Sequence, residues 1–149
     1  MKPNPLIKKA PPKLLMAFDP GKDTGVCLFQ DGHVVDMDIL RGIGALQDFL
    51  INSTKKPDLI VIEEFALRKT KALQQSGSHM ETSQVIGMIK LWARQNNIPV
   101  VTQPANALPM GLMWGKLKMP KNHRNSHWIS ARAHGIYYMV ANGMMEPLV

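Results

Sequence analysis

The sequence contains a single cysteine, Cys27, among its 149 residues. One cysteine excludes a disulfide within the chain and any zinc site made of cysteines alone. Cys27 lies in an apolar segment, so we interpret it as a small buried hydrophobic residue. No apolar run approaches the ~18 residues of a transmembrane helix, and the N-terminal segment lacks the apolar centre of a signal peptide. These absences predict a soluble protein of a reducing compartment, the cytoplasm, with no membrane partner.

Acidic residues are scarce in the second half of the chain. Residues 1–64 carry eight Lys or Arg and nine Asp or Glu, whereas residues 65–149 carry ten Lys or Arg and only Glu81 and Glu146. No aspartate follows Asp58. The net charge of +7 therefore belongs to the second half. Nucleic-acid phosphate is the commonest partner of such a surface, and no basic amphipathic helix favours a membrane instead.

The composition, 45% hydrophobic and 19% charged, is that of a folded domain with a core of its own. The first 13 residues contain four prolines and four lysines. We interpret residues 1–12 as a flexible basic arm and residues 13–149 as one domain.

Apolar runs and turn signals predict eight elements in the order strand, strand, strand, helix, strand, helix, strand, helix. The predicted strands are Lys13–Phe18, Gly25–Gln30, His33–Ile39, Leu59–Ile62 and Ile98–Thr102, and the predicted helices are Gly42–Asn52, Glu81–Gln95 and Ser126–Val140. We expect residues 65–79 to form a loop or a helical arm and residues 104–124 to be irregular. This order predicts an α/β domain with a mixed sheet flanked by helices.

Two of the predicted core strands are followed by carboxylates. Asp19 follows the first strand, and Glu63 follows the fourth. If these strands are neighbours, both acids lie at one end of the sheet, where two oxygen ligands suit Mg²⁺ or Mn²⁺. Alternation along the strand sends Glu64 to the opposite face, so Glu63 is the expected ligand, and a shift of one residue at the strand end would give Glu64 instead. Taken alone, Asp19 before Pro20 and Gly21 could equally cap a turn.

Three motifs together resemble a known family. They are Asp19-Pro20-Gly21 with Thr24-Gly25, then the run 61–65 (VIEEF), and a late His127 followed by Ala131 on the last helix. The combination resembles the RuvC-type Holliday-junction resolvases of the RNase H-like superfamily. Within that family, it resembles the diverged phage members most. The resemblance covers roughly residues 13–142.

The resemblance implies an RNase H-like nuclease domain over residues 13–149, a five-stranded mixed sheet flanked by helices, and a homodimer. It implies an endonuclease that cuts branched DNA, a Holliday junction or a flap, and not one that acts on a small molecule. Two Mg²⁺ or Mn²⁺ ions would serve phosphodiester hydrolysis. Asp19 would bridge the ions and Glu63 would hold one of them. His127 would be a further ligand, orient the nucleophile or assist the leaving group.

The last helix departs from the family pattern, in which His-x-x-Asp-Ala supplies a further acid. Ser130 stands at the expected aspartate position. Three interpretations stay open: a natural variant in which His127 and His134 complete the site, an engineered replacement of an aspartate, or a DNA-binding protein that no longer cleaves. Ser130 is a weak neutral ligand, so we expect weakened two-metal chemistry.

Two groups of basic residues are candidates for contacts with the DNA backbone. They are Arg68, Lys69 and Lys71 after the fourth strand, and Lys116, Lys118, Lys121 and Arg124 before the last helix. Met80, Met88 and Trp92 in the region of the second helix are core residues by default, or else part of a dimer interface. A third function class, an actin-like kinase, shares the Asp-x-Gly-x-x-Thr-Gly loop, but such kinases need two of these domains.

Overall fold

The computed structural model describes residues 7–64, 76–121 and 126–148, with side chains from residue 80 onward in the second range. The strands are β1 (Leu14–Asp19), β2 (Asp23–Gln30), β3 (His33–Arg41), β4 (Leu59–Glu63) and β5 (Val100–Gln103). The helices are α1 (Gly42–Asn52), α2 (Ser76–Gln95), α3 (Ala107–Trp114) and α4 (Ser126–Ala141). No helix within these described ranges is both long and apolar enough to cross a membrane.

The five strands form one mixed sheet in the order β3-β2-β1-β4-β5. β1, β2 and β3 are antiparallel neighbours, joined at the second turn by Asp31 and Gly32, both with positive φ. β4 pairs in parallel with β1, and β5 pairs in parallel with β4. The predicted five-stranded mixed sheet is confirmed. The first and fourth strands are neighbours, which is the condition under which both acids lie at one end of the sheet.

Strand alternation divides the core into two layers, one on each face of the sheet. Met16 and Phe18 of β1 face the layer that contains α1 and α2. Leu15 and Ala17 face the opposite layer, where α4 packs. β4 follows the same alternation, with Ile60 and Ile62 on the first face and Leu59 and Val61 on the second. By the same alternation, the last residue of β1 and the last residue of β4 both face α4.

Helix α3 corrects the sequence prediction, which treated residues 104–124 as irregular. The segment contains Pro109 and Gly111, which both weaken helix propensity. Pro109 is the third residue of α3, in the first turn, where its missing N–H removes no helical hydrogen bond. Gly111 allows close packing on α4, since a Cβ there would lie 2.1 Å from the carbonyl oxygen of Ala133. Tertiary packing therefore stabilises a helix that local propensity does not favour.

The described side chains of α2 fall into buried and exposed sets. Trp92 is buried and Met88 packs partly against the core, as the default interpretation expected. Met80 is 63% exposed and Leu91 is 58% exposed, so the core interpretation of Met80 is wrong in this chain. Met80 lies in the second turn of the helix. The exposed pair leaves apolar surface on this helix.

The start of the described chain contacts its end. The backbone N–H groups of Lys8 and Lys9 both donate to the carbonyl oxygen of Gly143, at 2.6 and 3.2 Å. The proposed boundary between the basic arm and the domain at residue 13 stays a prediction.

Candidate active site

Three polar residues form a row across the carboxyl ends of the three parallel strands. Asp19 ends β1, Glu63 ends β4, and Gln103 ends β5. Phe18 is in register with Ile62, and Glu63 is in register with Gln103. In each of these strands, the residue two positions before the last one faces α4. Because side chains alternate between the faces with a period of two, the last residue faces α4 as well. The sheet therefore presents two carboxylates and one amide, side by side, to α4.

Asp19 is held by the first turn of α4. Its Oδ2 lies 3.1 Å from Nδ1 of His127, and its side chain is only 14% exposed. α4 approaches this closely because β2 has glycine at position 25, opposite Asp19. A Cβ on Gly25 would lie 2.0 Å from the carbonyl oxygen of His127. The glycine thus sets the distance between the sheet and the start of the helix.

The two partners in this contact change each other's acidity. Burial raises the pKa of Asp19 by more than the hydrogen bond with His127 lowers it, and the nearby charge of Glu63 raises it further. The hydrogen bond with Asp19 raises the pKa of His127 above its ordinary value, and partial burial offsets only part of this rise. Asp19 and Glu63 therefore interact directly, and both the charge of Glu63 and a hydrogen bond with it favour the protonated form of Asp19.

Glu63 faces the second histidine of α4. Its Oε2 lies 3.7 Å from Nε2 of His134, whose side chain is fully buried. Burial acts to raise the pKa of Glu63, but the His134 ring and a hydrogen bond with Asp19 together lower it by more, so the pKa lies below its ordinary value. The two site carboxyls are thus shifted in opposite directions. Glu63 is held as the more readily ionised member of the pair.

Gln103 is a site residue that the sequence analysis missed. Its side-chain nitrogen lies 3.1 Å from Nδ1 of His134 and 3.0 Å from the backbone oxygen of the same residue. The residue is buried. The sequence contained a signal for it, because β5 ends in a polar residue, Gln103, just as β1 and β4 end in Asp19 and Glu63. The predicted strand stopped at Thr102, one residue short of it.

Ser130 lies on α4 between the two histidines, one turn from each. Its side chain is 95% buried, since only 5% of it is exposed. His127, Ser130 and His134 therefore occupy one side of the helix. A neutral hydroxyl stands at the middle of that side. The assignment of Ser130 and His134 as catalytic residues stays a prediction.

The donor set fits a divalent cation in part. Asp19 and Glu63 supply hard carboxylate oxygens at one sheet edge, the kind of ligand that Mg²⁺ and Mn²⁺ prefer. Within residues 7–64, 80–121 and 126–148, no three His, Cys, Asp or Glu side chains come together in a metal-binding arrangement. Mg²⁺ usually keeps several waters and binds through one or two carboxylates, so a pair is sufficient for one ion. Binding by His127 and the presence of a second ion stay predictions.

The predicted DNA contacts divide between described and undescribed parts of the chain. Arg68, Lys69, Lys71 and Arg124 lie outside the described residues. Lys116, Lys118 and Lys121 are exposed on the segment between α3 and α4. The preceding Gly115 lies against Ile136, nine residues along α4 from His127, or about 13 Å of helix. The lysine segment therefore begins beside the second half of α4.

Comparison with solved structures relates this architecture to known proteins. The chain superposes on Thermus thermophilus RuvC in complex with a Holliday junction substrate with a TM-score of 0.66. The alignment covers 91% of this chain and 99% of that one, at 14% identity. The chain has the RuvC fold. A second structure of Thermus thermophilus RuvC gives a TM-score of 0.58 at 16% identity and the same coverage. No protein-family model and no curated protein matches the sequence.

Proposed function

We propose that this protein is a divalent-metal-dependent endonuclease that cuts branched DNA at four-way junctions. One observation carries the proposal: Asp19 and Glu63 lie side by side at the carboxyl ends of neighbouring parallel strands, facing α4. The RuvC fold supports it, because the similar solved structure is a RuvC bound to a Holliday junction. A phage source and a cytoplasmic location stay predictions from the sequence.

The residues at the carboxyl ends of the parallel strands would have different roles. Asp19 and Glu63 would hold the metal, and His127 would keep the Asp19 carboxylate oriented through the 3.1 Å contact. Bound Mg²⁺ or Mn²⁺ would lower the pKa of the attacking water and stabilise charge on the leaving 3′ oxygen. Exposed lysines at 116, 118 and 121 would contact phosphates, which position DNA without reading its sequence.

A labelled four-way junction incubated with Mg²⁺ or Mn²⁺ tests the activity. We expect paired nicks in opposing strands, and we expect them to disappear in Asp19→Asn and Glu63→Gln. Glu64→Gln is the matched control, because Glu64 is the adjacent acid on the chain and is exposed. Equal losses in Glu63→Gln and Glu64→Gln would contradict the assignment of the site.

A second function of a different class is favoured by Ser130. A buried neutral residue at the middle of the site side of α4 suits a protein that binds junctions without cutting them. Tight junction binding without nicks would support this second function. If Ser130→Asp then produced metal-dependent nicks, the wild-type site would be a weakened nuclease site.

Junction affinity should depend steeply on salt. Each phosphate neutralised by a lysine or arginine contributes a slope of about −0.9 in log K against log salt on duplex DNA. We expect Lys116→Gln and Lys118→Gln each to reduce the slope by about one unit if the residue contacts a phosphate. If the affinity did not change when the salt concentration rises about fourfold, from ~50 to ~200 mM, an electrostatic interface would be refuted.

We also propose a homodimer through α2. Met80 and Leu91 leave exposed apolar surface on this helix. Two active sites related by a two-fold axis would match the two-fold symmetry of a four-way junction. Light scattering should give twice the chain mass of 16.6 kDa, and Leu91→Glu should reduce it to the monomer value. A monomeric wild type would refute the dimer.

A further inference from the structure

His134 is the only fully buried histidine in the described part of the chain, and Gln103 holds it at two points. The Gln103 side-chain nitrogen is 3.0 Å from the backbone oxygen of His134 and 3.1 Å from its Nδ1. A carbonyl oxygen only accepts hydrogen bonds, so the Gln103 atom that faces it is the NH₂ group. The same NH₂ group faces Nδ1, and two donors cannot share a hydrogen bond. Nδ1 must therefore be the acceptor.

Because Nδ1 of His134 accepts a hydrogen bond, the position of the ring hydrogen is determined. A neutral imidazole that accepts at Nδ1 carries its hydrogen on Nε2. Nε2 is buried and has no hydrogen-bond partner within the described residues. The nearest acidic atom is Oε2 of Glu63, at 3.7 Å, just beyond hydrogen-bonding distance. A buried donor without a partner is costly, so a hydrogen bond from Nε2 to the Glu63 carboxylate would be favourable.

We propose that Gln103 and His134 are positioning residues: Gln103 fixes His134 as the Nε2–H tautomer, and His134 orients the Glu63 carboxylate for metal binding. The inference rests on the proposed function, in which Glu63 is a metal ligand. A small movement of the Glu63 carboxylate closes the 3.7 Å gap to a hydrogen bond. One carboxylate oxygen is then taken by His134, and the other is free to face Asp19 and a bound cation.

The backbone supports this arrangement. Glu63 and Gln103 are paired residues of β4 and β5, and the backbone N–H of Glu64 donates to the carbonyl oxygen of Gln103 at 2.6 Å. The strand ends are thus fixed relative to each other. His134 lies on α4 above both. The chain has a neutral amide at the third strand end, where a carboxylate would instead place the hydrogen on Nδ1.

The first test needs neither metal nor DNA. Long-range ¹H–¹⁵N correlation spectra of the full-length protein in EDTA report which nitrogen of His134 carries the hydrogen. We expect Nε2–H in the wild type and in Thr102→Val, the control at the exposed neighbouring position. We expect Gln103→Glu to move the hydrogen to Nδ1. A wild-type ring with its hydrogen on Nδ1 overturns the inference, whether or not the variants fold.

The second test measures positioning. Partners of metal-binding residues typically contribute about 10–100-fold to metal affinity or activity. We expect Gln103→Met and His134→Leu to weaken Mn²⁺ binding, followed by electron paramagnetic resonance, by about 10-fold, and to lower kcat on a junction without changing KM. His134→Gln, which retains an N–H donor, should recover most of the loss.

The outcomes separate this inference from the proposed function. Wild-type Mn²⁺ affinity in His134→Leu overturns the positioning role even if the tautomer is as expected. If no form of the protein cleaves a junction, the proposed nuclease activity fails. The tautomer and the Mn²⁺ affinities still decide the roles of Gln103 and His134 in that case.

Discussion

Gly25 controls how closely α4 approaches the acidic end of the sheet, and Gly25→Ala should break that contact. The added Cβ would lie 2.0 Å from the carbonyl oxygen and 2.2 Å from the carbonyl carbon of His127, and 2.7 Å from the backbone nitrogen of Trp128. All three atoms are backbone, so no side-chain rotation relieves the clash. The start of α4 must move away from β2.

The size of this movement follows from the distances. Ordinary contact with a Cβ begins at 3.4 Å, so the helix start must retreat by about 1.4 Å. The 3.1 Å contact between Asp19 and His127 would lengthen well beyond a hydrogen bond. Inserting a methyl group into a packed region costs about 1–3 kcal/mol of folding free energy. We expect a loss of this size in Gly25→Ala.

Urea unfolding in EDTA measures the loss, and Gly87→Ala is the control. Gly87 lies in α2 with no atom within 4 Å of the position of an added Cβ, so alanine there should stabilise the protein by about 0.5–1 kcal/mol. The His127 ring signals in Gly25→Ala should also lose the raised pKa that Asp19 confers. Wild-type stability together with an unchanged His127 titration in Gly25→Ala would refute the reasoning.

Three further predictions concern stability and reactivity. Gly111→Ala should destabilise the protein by about 1–3 kcal/mol in thermal unfolding, because its Cβ would lie 2.1 Å from the carbonyl oxygen of Ala133; an unchanged midpoint would show that α3 shifts freely. The stability difference between wild type and His127→Asn should be at most about 1 kcal/mol. It should be largest just below pH 6.5 and decline as pH rises through the raised folded-state pKa of His127, so a difference that grows toward pH 9 would contradict the pair with Asp19. Burial raises the pKa of the Cys27 thiol to about 12, so a thiol reagent should label it only after unfolding, and rapid labelling of the folded protein would disprove its burial.

Much of the fold followed from local patterns. The predicted helix Gly42–Asn52 has the same bounds in the structure, because its apolar spacing, its preceding strand and its following loop all agree. Asp19 and Glu63 meet as predicted, since both end apolar strands and those strands are parallel neighbours. A residue at a strand end can be placed from sequence when the strand order is also right.

The remaining features depend on tertiary contacts that no local pattern encodes. α3 contains Pro109 and Gly111, and it forms because it packs on α4, including a stack of Trp114 on Tyr137 at 5.5 Å. Gln103 is a neutral amide, and its position becomes informative only when β5 is placed beside β4. The role of His134 likewise depends on how α4 lies on the sheet.

The docking of α4 has a consequence for how the two ends of the site behave. His127 and His134 are seven residues apart, about 10.5 Å along the helix. Asp19 and Gln103 are separated by two strand spacings, about 9.6 Å. Because these lengths match, one rigid displacement of α4 along its axis would alter both histidine contacts at once. The pKa of Asp19 and the tautomer of His134 should therefore both respond to the same movement of α4. A perturbation at either end of the site should be detectable at the other.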